Sequence, residues 1–241
     1  MAIPTFLAMT AAEIWKHKDI SLPVGWLSCL FSPYGTGLSN LPEELPEGSV
    51  LILSDHTPMN CHDPQRIAAQ LTDCIIRLHC TGVLLDFQRP ENLQQAALAK
   101  YLSDVLPCPV AVAEGYSAAL SGPVFLPPIP PSMSPHTYLS PWSGREVWLE
   151  LALDGEIITL TENGAETKAL PYWEIPEKGF SEETLHCHYH IETTDDRAIF
   201  TLWRTREDLA ALLETVEQLG VAKTVGLYQE LADVLYLSDH E

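Results

Sequence analysis

Short apolar runs that end in acidic or amide side chains recur along this chain, and each is followed by a helix or loop signal. Ser49-Val50-Leu51-Ile52-Leu53-Ser54-Asp55-His56 is continuously apolar before its polar end, the pattern of a parallel strand covered on both faces. Thr81-Gly82-Val83-Leu84-Leu85-Asp86-Phe87-Gln88-Arg89-Pro90 repeats it, and Val110-Ala111-Val112-Ala113-Glu114-Gly115-Tyr116 closes on a carboxylate again. Between the first two, Asp63 caps and Pro64 opens a helix whose Ile67, Ala68, Leu71, Cys74, Ile75 and Leu78 recur at helical spacing to about His79. Between the second and third, Leu93, Ala96, Ala97, Leu98, Tyr101, Leu102 and Val105 mark another amphipathic helix, which Pro107 stops. Three such units imply a parallel sheet with right-handed crossovers. Ligands of these sheets bind outside the carboxyl ends of the strands, where Asp55, His56, Asp86, Gln88, Glu114 and Tyr116 gather.

The flanking segments complete the pattern. Ala11 to Lys18 reads as a polar helical piece, and Val24 to Phe31 as a buried strand ended by Pro33, Gly35 and Gly37. Pro123, Pro127, Pro128, Pro130, Pro131, Pro135 and Pro141 exclude long regular structure and predict a loop over the site or a connector. From Glu146 to Ile191 the pattern is antiparallel: Val147 to Leu153, a turn at Asp154-Gly155, Glu156 to Leu160, a turn at Asn163-Gly164, and a strand over Leu185 to Ile191. That region is too small to bury its own core, so it reads as a hairpin insertion. The α/β pattern resumes with Ala198 to Arg204, a helix from Arg206 with Leu209, Leu212, Leu213, Val216 and Leu219 on one face, and a last strand, Thr224 to Tyr228, before Gln229 and Glu230. The expectation is one α/β domain over residues 1–241, a modified or incomplete (β/α)8 TIM-type barrel with a β insertion at 146–191 and five or six parallel strands. An open doubly wound sheet is the alternative, since no glycine-rich phosphate loop decides between them.

Charge limits the partners. With 33 acidic residues against 13 basic, a formal charge of −20, the chain repels phosphate backbones and anionic lipid, which argues against nucleic acid and favours cations or neutral ligands, a small molecule or an oligosaccharide. No run is apolar for the eighteen or so residues that a membrane span needs, and the first nine residues lack the basic start of a secretion signal. The six cysteines show no close metal spacing and read as free thiols of a reducing cytoplasm. His186, His188 and His190 alternate on one strand, and His56, His62 and Asp63 cluster near a strand end; a solvated histidine row and a helix cap account for them, so no metal or other cofactor is expected. Cys61 beside His62 and the lack of a Gly-x-Ser-x-Gly elbow give no nucleophile.

Strand alternation places Gly82, Leu84, Asp86 and Gln88 on one face. Gly82-Val83-Leu84-Leu85-Asp86-Phe87-Gln88 resembles the signature strand of glycoside hydrolase family 18, the chitinases and their relatives, whose pattern is Asp-Gly-apolar-Asp-apolar-Asp-aromatic-Glu. Gly82, Val83, Leu85, Asp86 and Phe87 agree; Thr81, Leu84 and Gln88 depart. The resemblance implies a (β/α)8 barrel in which the residue at Gln88 protonates the glycosidic oxygen while Asp86 orients the acetamido group that acts as nucleophile. An amide cannot donate that proton but still hydrogen-bonds a sugar. Members in which the acid is replaced are lectin-like or storage proteins, so the resemblance points to carbohydrate binding with weak or lost hydrolysis. Two alternatives stay open. Asp86 and Glu114 on consecutive strands, roughly 5 to 9.5 Å apart by geometry, would form an acid/base pair of an active glycosidase. Otherwise the acidic surface and the insertion make an interaction scaffold without a small-molecule site. Glu230 is a third carboxylate for the rim, and Tyr116, Trp203 and Tyr228 supply flat rings that suit pyranose faces.

Overall fold

The computed structural model describes residues 3–17, 20, 22–33, 37–57, 63–90, 92–176 and 178–238; Cys61 and His62 lie outside them. Its first strands are β1 (Thr5–Met9), β2 (Val24–Phe31), β3 (Leu38–Ser39), β4 (Val50–Ser54), β5 (Gly82–Asp86), β6 (Val110–Ala113), β7 (Val124–Leu126) and β8 (Val147–Glu150). Then come β9 (Gly155–Thr161), β10 (Gly164–Leu170), β11 (Phe180–Glu182), β12 (Cys187–Thr193), β13 (Arg197–Trp203) and β14 (Lys223–Leu227). Strands β1, β2, β4, β5, β6, β7, β8 and β14 pair in parallel, and β1 meets both β14 and β2, so the sheet closes into an eight-stranded barrel. Strand β3 adds an antiparallel edge to β2.

Six helices accompany it among the described residues: α1 (Ala11–Lys16), α2 (Pro64–Leu78), α3 (Leu93–Val105), α4 (Pro135–Leu139), α5 (Arg206–Gln218) and α6 (Tyr228–Ser238). Their ends follow from local chemistry. The Asp63 carboxylate accepts from the amides of Gln65 and Arg66, both at 3.1 Å, with Pro64 in the first turn. Asn92 accepts from Gln95 N at 2.9 Å to start α3, and Thr205 with Asp208 forms a reciprocal capping box at α5. Helices α2 and α3 bury Ile67, Leu71, Leu98 and Leu102 against the outer wall of β4 to β6. Helices α5 and α6 bury Leu209, Leu212, Leu231 and Val234 against β1, β7 and β8.

The barrel is filled, not hollow. Phe6, Ala8, Val50, Ile52, Leu84, Ala111, Phe125, Trp148 and Val225 point inward and form one buried cluster. Trp148 is the plug. A Cβ on Gly82 would stand 2.5 Å from its Cη2, so only glycine leaves room there. At the floor the Lys223 ammonium lies 4.3 Å from the Trp148 ring centre and donates to Thr81 O at 3.3 Å.

Three elements differ from the sequence expectation. The barrel is complete: β1 and β7, neither of them expected as strands, supply two of its eight walls. Val147–Glu150 is also a barrel strand, buried between β7 and β14, and not the first arm of a hairpin insertion at 146–191. The antiparallel sheet instead runs from Gly155 to Trp203 in the order β10-β9-β13-β12-β11, taking in the Arg197–Trp203 segment expected to continue the α/β pattern. Its base is fixed by Arg204, 1% exposed, which pairs with Asp154 at 3.3 Å and donates to His186 O at 3.1 Å and to Ile129 O. Glu156 accepts from Ser132 N at 2.5 Å, tying the sheet to the loop after β7. Among the described residues no helix is long and apolar enough to cross a membrane.

Candidate functional site

Side chains two residues beyond an inward-facing position face inward again. Ser54 follows Ile52, Asp86 follows Leu84, Ala113 follows Ala111 and Glu150 follows Trp148, so these four form the last layer at the carboxyl ends of the strands. Two carboxylates thus face into the mouth from β5 and β8.

The turn after β5 is held by a buried network. Asp55, 1% exposed, accepts from Gln88 N at 3.0 Å, from Arg89 N at 3.0 Å and from Gln95 Nε2 at 2.9 Å. Tyr116 Oη donates to Gln95 Oε1 at 2.8 Å, and its ring meets Phe87 edge-on at 5.5 Å. Arg89 Nη2 donates to His56 O at 2.9 Å. The loops after β4 and β6 therefore clamp the backbone between Phe87 and Arg89. That clamp leaves the exposed Gln88 side chain to donate from Nε2 to both oxygens of Asp86, at 3.3 and 3.2 Å. Burial raises the Asp86 pKa and the Asp55 charge adds to it; the Gln88 hydrogen bond and the His56 charge oppose.

The far wall of the mouth is acidic. Burial lifts Glu150 to about 7, helped by the charges of Asp86, Glu230 and Asp154 in that order. Burial lifts Asp154 to about 6 against the pull of Arg204. Glu230 accepts from Leu153 N at 2.8 Å. Tyr138 donates to Pro127 O at 2.9 Å; burial and the charges of Glu114, Glu150 and Asp154 push its phenol up.

The expected site residues therefore separate. Asp86, Gln88, His56 and Glu230 stand at the mouth, whereas Asp55 and Tyr116 are buried supports of the same turn with their polar atoms bonded within the chain. Glu114 is exposed at the start of a six-residue 3-10 helix, on the side of Tyr138. Tyr228 Oη lies 3.3 Å from His17 Nδ1, with the rings 4.8 Å apart, which ties α6 to the end of α1. Trp203 does not reach the rim: it is 1% exposed, stacks on His188 at 6.0 Å and packs so closely on Gly179 that a Cβ there would stand 2.3 Å away. His186 adopts a left-handed φ of 50° before β12 and meets Thr215, while His188 meets Asp208 at 2.7 Å, so both rings are taken up by hydrogen bonds to α5. Glu150, Asp154 and Tyr138 were missed. Glu150 closes an apolar strand just as Asp86 does, and assigning Val147–Glu150 to a hairpin hid it. A cavity of about 920 Å³, lined by Trp15, His17, Trp26 and Asn40 among others, lies outside the barrel wall and does not include Asp86.

The raised Glu150 pKa has a consequence for stability. In the native state this carboxyl holds its proton up to about 7, against an ordinary value of 4.5, so its favourable contribution is full below pH 4.5 and is lost as pH rises through 7. Glu150→Gln is expected to exceed the parent in stability at pH 8 by on the order of 1–2 kcal/mol, reduced from the full linkage value because the carboxyl retains some solvent contact. The gain should vanish below pH 5, as urea unfolding at the two pH values would register.

A closed parallel barrel with inward carboxylates at the carboxyl ends of its strands has the layout of a barrel enzyme site. Neither a family model nor a curated protein sequence matches the chain. Among solved structures the fold is that of the family 18 chitinases and their relatives. A chitinase from Chromobacterium violaceum superposes with a TM-score of 0.56 at 10% identity, covering 93% of both chains. A double mutant of the family 18 chitinase from Cycas revoluta, with one glycine-to-tryptophan and one glutamate-to-glutamine substitution and solved with a tetramer of N-acetylglucosamine, gives 0.54 at 11% identity over 93% of this chain and 94% of that one. A chitinase-like agglutinin from Robinia pseudoacacia gives 0.53 at 12%, with the same coverage.

Proposed function

We propose that the mouth of this barrel binds oligosaccharides containing N-acetylated amino sugars, with hydrolysis slow or lost because Gln88 stands where a proton donor would. The observation that carries this reading is the Asp86–Gln88 pair. A carboxylate at the end of the fourth barrel strand faces the mouth, and its neighbour two residues on is an amide already bonded to it. Asp86 is then the acceptor for a sugar amide N–H, and Gln88 offers one N–H and one carbonyl to hydroxyl groups. The similarity to a chitinase solved with an N-acetylglucosamine tetramer and to an agglutinin supports a ligand of this class.

Calorimetric titration with the tetramer of N-acetylglucosamine tests it. The parent should bind, and Asp86→Ala should weaken binding roughly 10- to 100-fold, the worth of one hydrogen bond to a charged group. Equal affinity in the two proteins would remove Asp86 from the site.

A further inference from the structure

The carboxylates around the mouth differ in what already holds them. Asp86 accepts from Gln88, Asp154 from Arg204 at 3.3 Å and Glu230 from Leu153 N at 2.8 Å. Among the described residues no hydrogen bond or ion pair reaches the Glu150 carboxyl group. Its strand fixes where it points. Trp148 fills the barrel, Glu150 is two residues on, and pairing with Val225 places it in the final inward layer. Strands β5 and β8 are three apart in a ring of eight, so Asp86 and Glu150 approach the mouth from different sides. An eight-stranded barrel is only wide enough for side chains to fill, which leaves a separation on the order of one sugar ring. The charge of Asp86, ahead of those of Glu230 and Asp154, adds to burial in raising the Glu150 pKa.

We propose that Glu150 is the proton donor of this site, acting from the wall opposite Asp86 in place of the acid that Gln88 cannot provide. This rests on the mouth being an amino-sugar site. The sugar sits between the two carboxyl groups, its acetamido group on Asp86 and its leaving oxygen toward Glu150. The Glu150 proton passes to the glycosidic oxygen as the bond from that oxygen to the anomeric carbon breaks, and the bonding pair leaves with the departing sugar as a hydroxyl. The acetamido carbonyl oxygen forms the new bond to the anomeric carbon. Water then adds at that carbon, displaces the acetamido oxygen and gives its proton to the Glu150 carboxylate, which restores the acid. Burial and three neighbouring negative charges keep the group protonated close to neutral pH, as the step requires.

Two substrates separate the roles: the N-acetylglucosamine tetramer, whose leaving sugar needs a proton, and a dinitrophenyl chitobioside, whose leaving group does not. The parent should cleave the tetramer slowly, with a rate that falls as pH rises through about 7. Glu150→Gln should bind the tetramer with little change by calorimetry, lose roughly 100-fold or more in its cleavage, and keep most of its rate of first dinitrophenol release, read as a burst that precedes slow hydrolysis of the intermediate. Failure of the parent to bind the tetramer would overturn the sugar-site reading and the acid role with it. Binding without any cleavage, equal cleavage in parent and variant, or a dinitrophenol burst slowed as much as tetramer cleavage would overturn the role of Glu150 alone.

Discussion

Gln88→Glu is expected to raise cleavage of the N-acetylglucosamine tetramer by roughly 10²- to 10⁴-fold, the usual worth of a positioned general acid. The amide nitrogen it replaces lies 3.3 and 3.2 Å from the oxygens of Asp86, whose own pKa burial already raises. A carboxyl there must share a proton with Asp86, because two like charges at hydrogen-bond distance cannot both ionise at ordinary cost. The shared proton is held toward neutral pH and lies at the edge of the mouth. The backbone needs no adjustment, since Asp55 grips the Gln88 amide and not its side chain. With the acid restored on β5, adding Glu150→Gln should cost little, whereas alone it should abolish the parent's slow turnover. A variant that binds the tetramer as the parent does and cleaves it no faster would show that the amide is not what limits hydrolysis. Timed product analysis on parent, single and double variants decides it.

The half of the chain that announced itself did so through punctuation. Asp63-Pro64 opens helix α2 and Pro107 follows the end of α3, and the apolar runs of β4, β5 and β6 are buried on both faces as parallel strands must be. Asp86 was legible because strand parity and a following helix signal fix both its face and its end. Strands β1 and β7 carry no such marks: Thr5–Met9 has no capped helix leading to it, and Val124–Leu126 is three residues set between Pro123 and Pro127. Their strand character comes from partners far along the chain, Thr224 to Leu227 for β1 and Val147 to Leu149 for β7. The same holds for the exchange of β8 and β13. Val147–Glu150 and Arg197–Trp203 have similar apolar content, and whether each pairs in parallel is set by its neighbours, not by its own pattern. Glu150 was lost with that assignment. The supporting role of Asp55 was illegible too, because its three donors lie 33 to 40 residues away.

Asp55→Ala is expected to destabilise the protein by about 3–5 kcal/mol, the cost of leaving buried partners of a charged group unpaired. Two of its donors are backbone amides of the turn that presents Gln88, and the third, Gln95, is 3% exposed. None of the three has a ready substitute, since Tyr116 already occupies the other end of the Gln95 amide. Asp55→Asn keeps one acceptor oxygen but turns an N–H toward another donor, so its loss should fall between parent and alanine. The contrast is Asp63→Ala at the exposed start of α2, where the lost cap should cost only about 1 kcal/mol. The two variants should also part in function. Freed from Asp55, the turn no longer fixes Gln88 beside Asp86, so tetramer affinity should fall in Asp55→Ala even at temperatures where it remains folded, and should hold in Asp63→Ala. Urea unfolding with calorimetry on the same samples reads both effects. A stability loss below about 1 kcal/mol in Asp55→Ala would mean that solvent replaces the carboxylate and that the turn stands without its clamp.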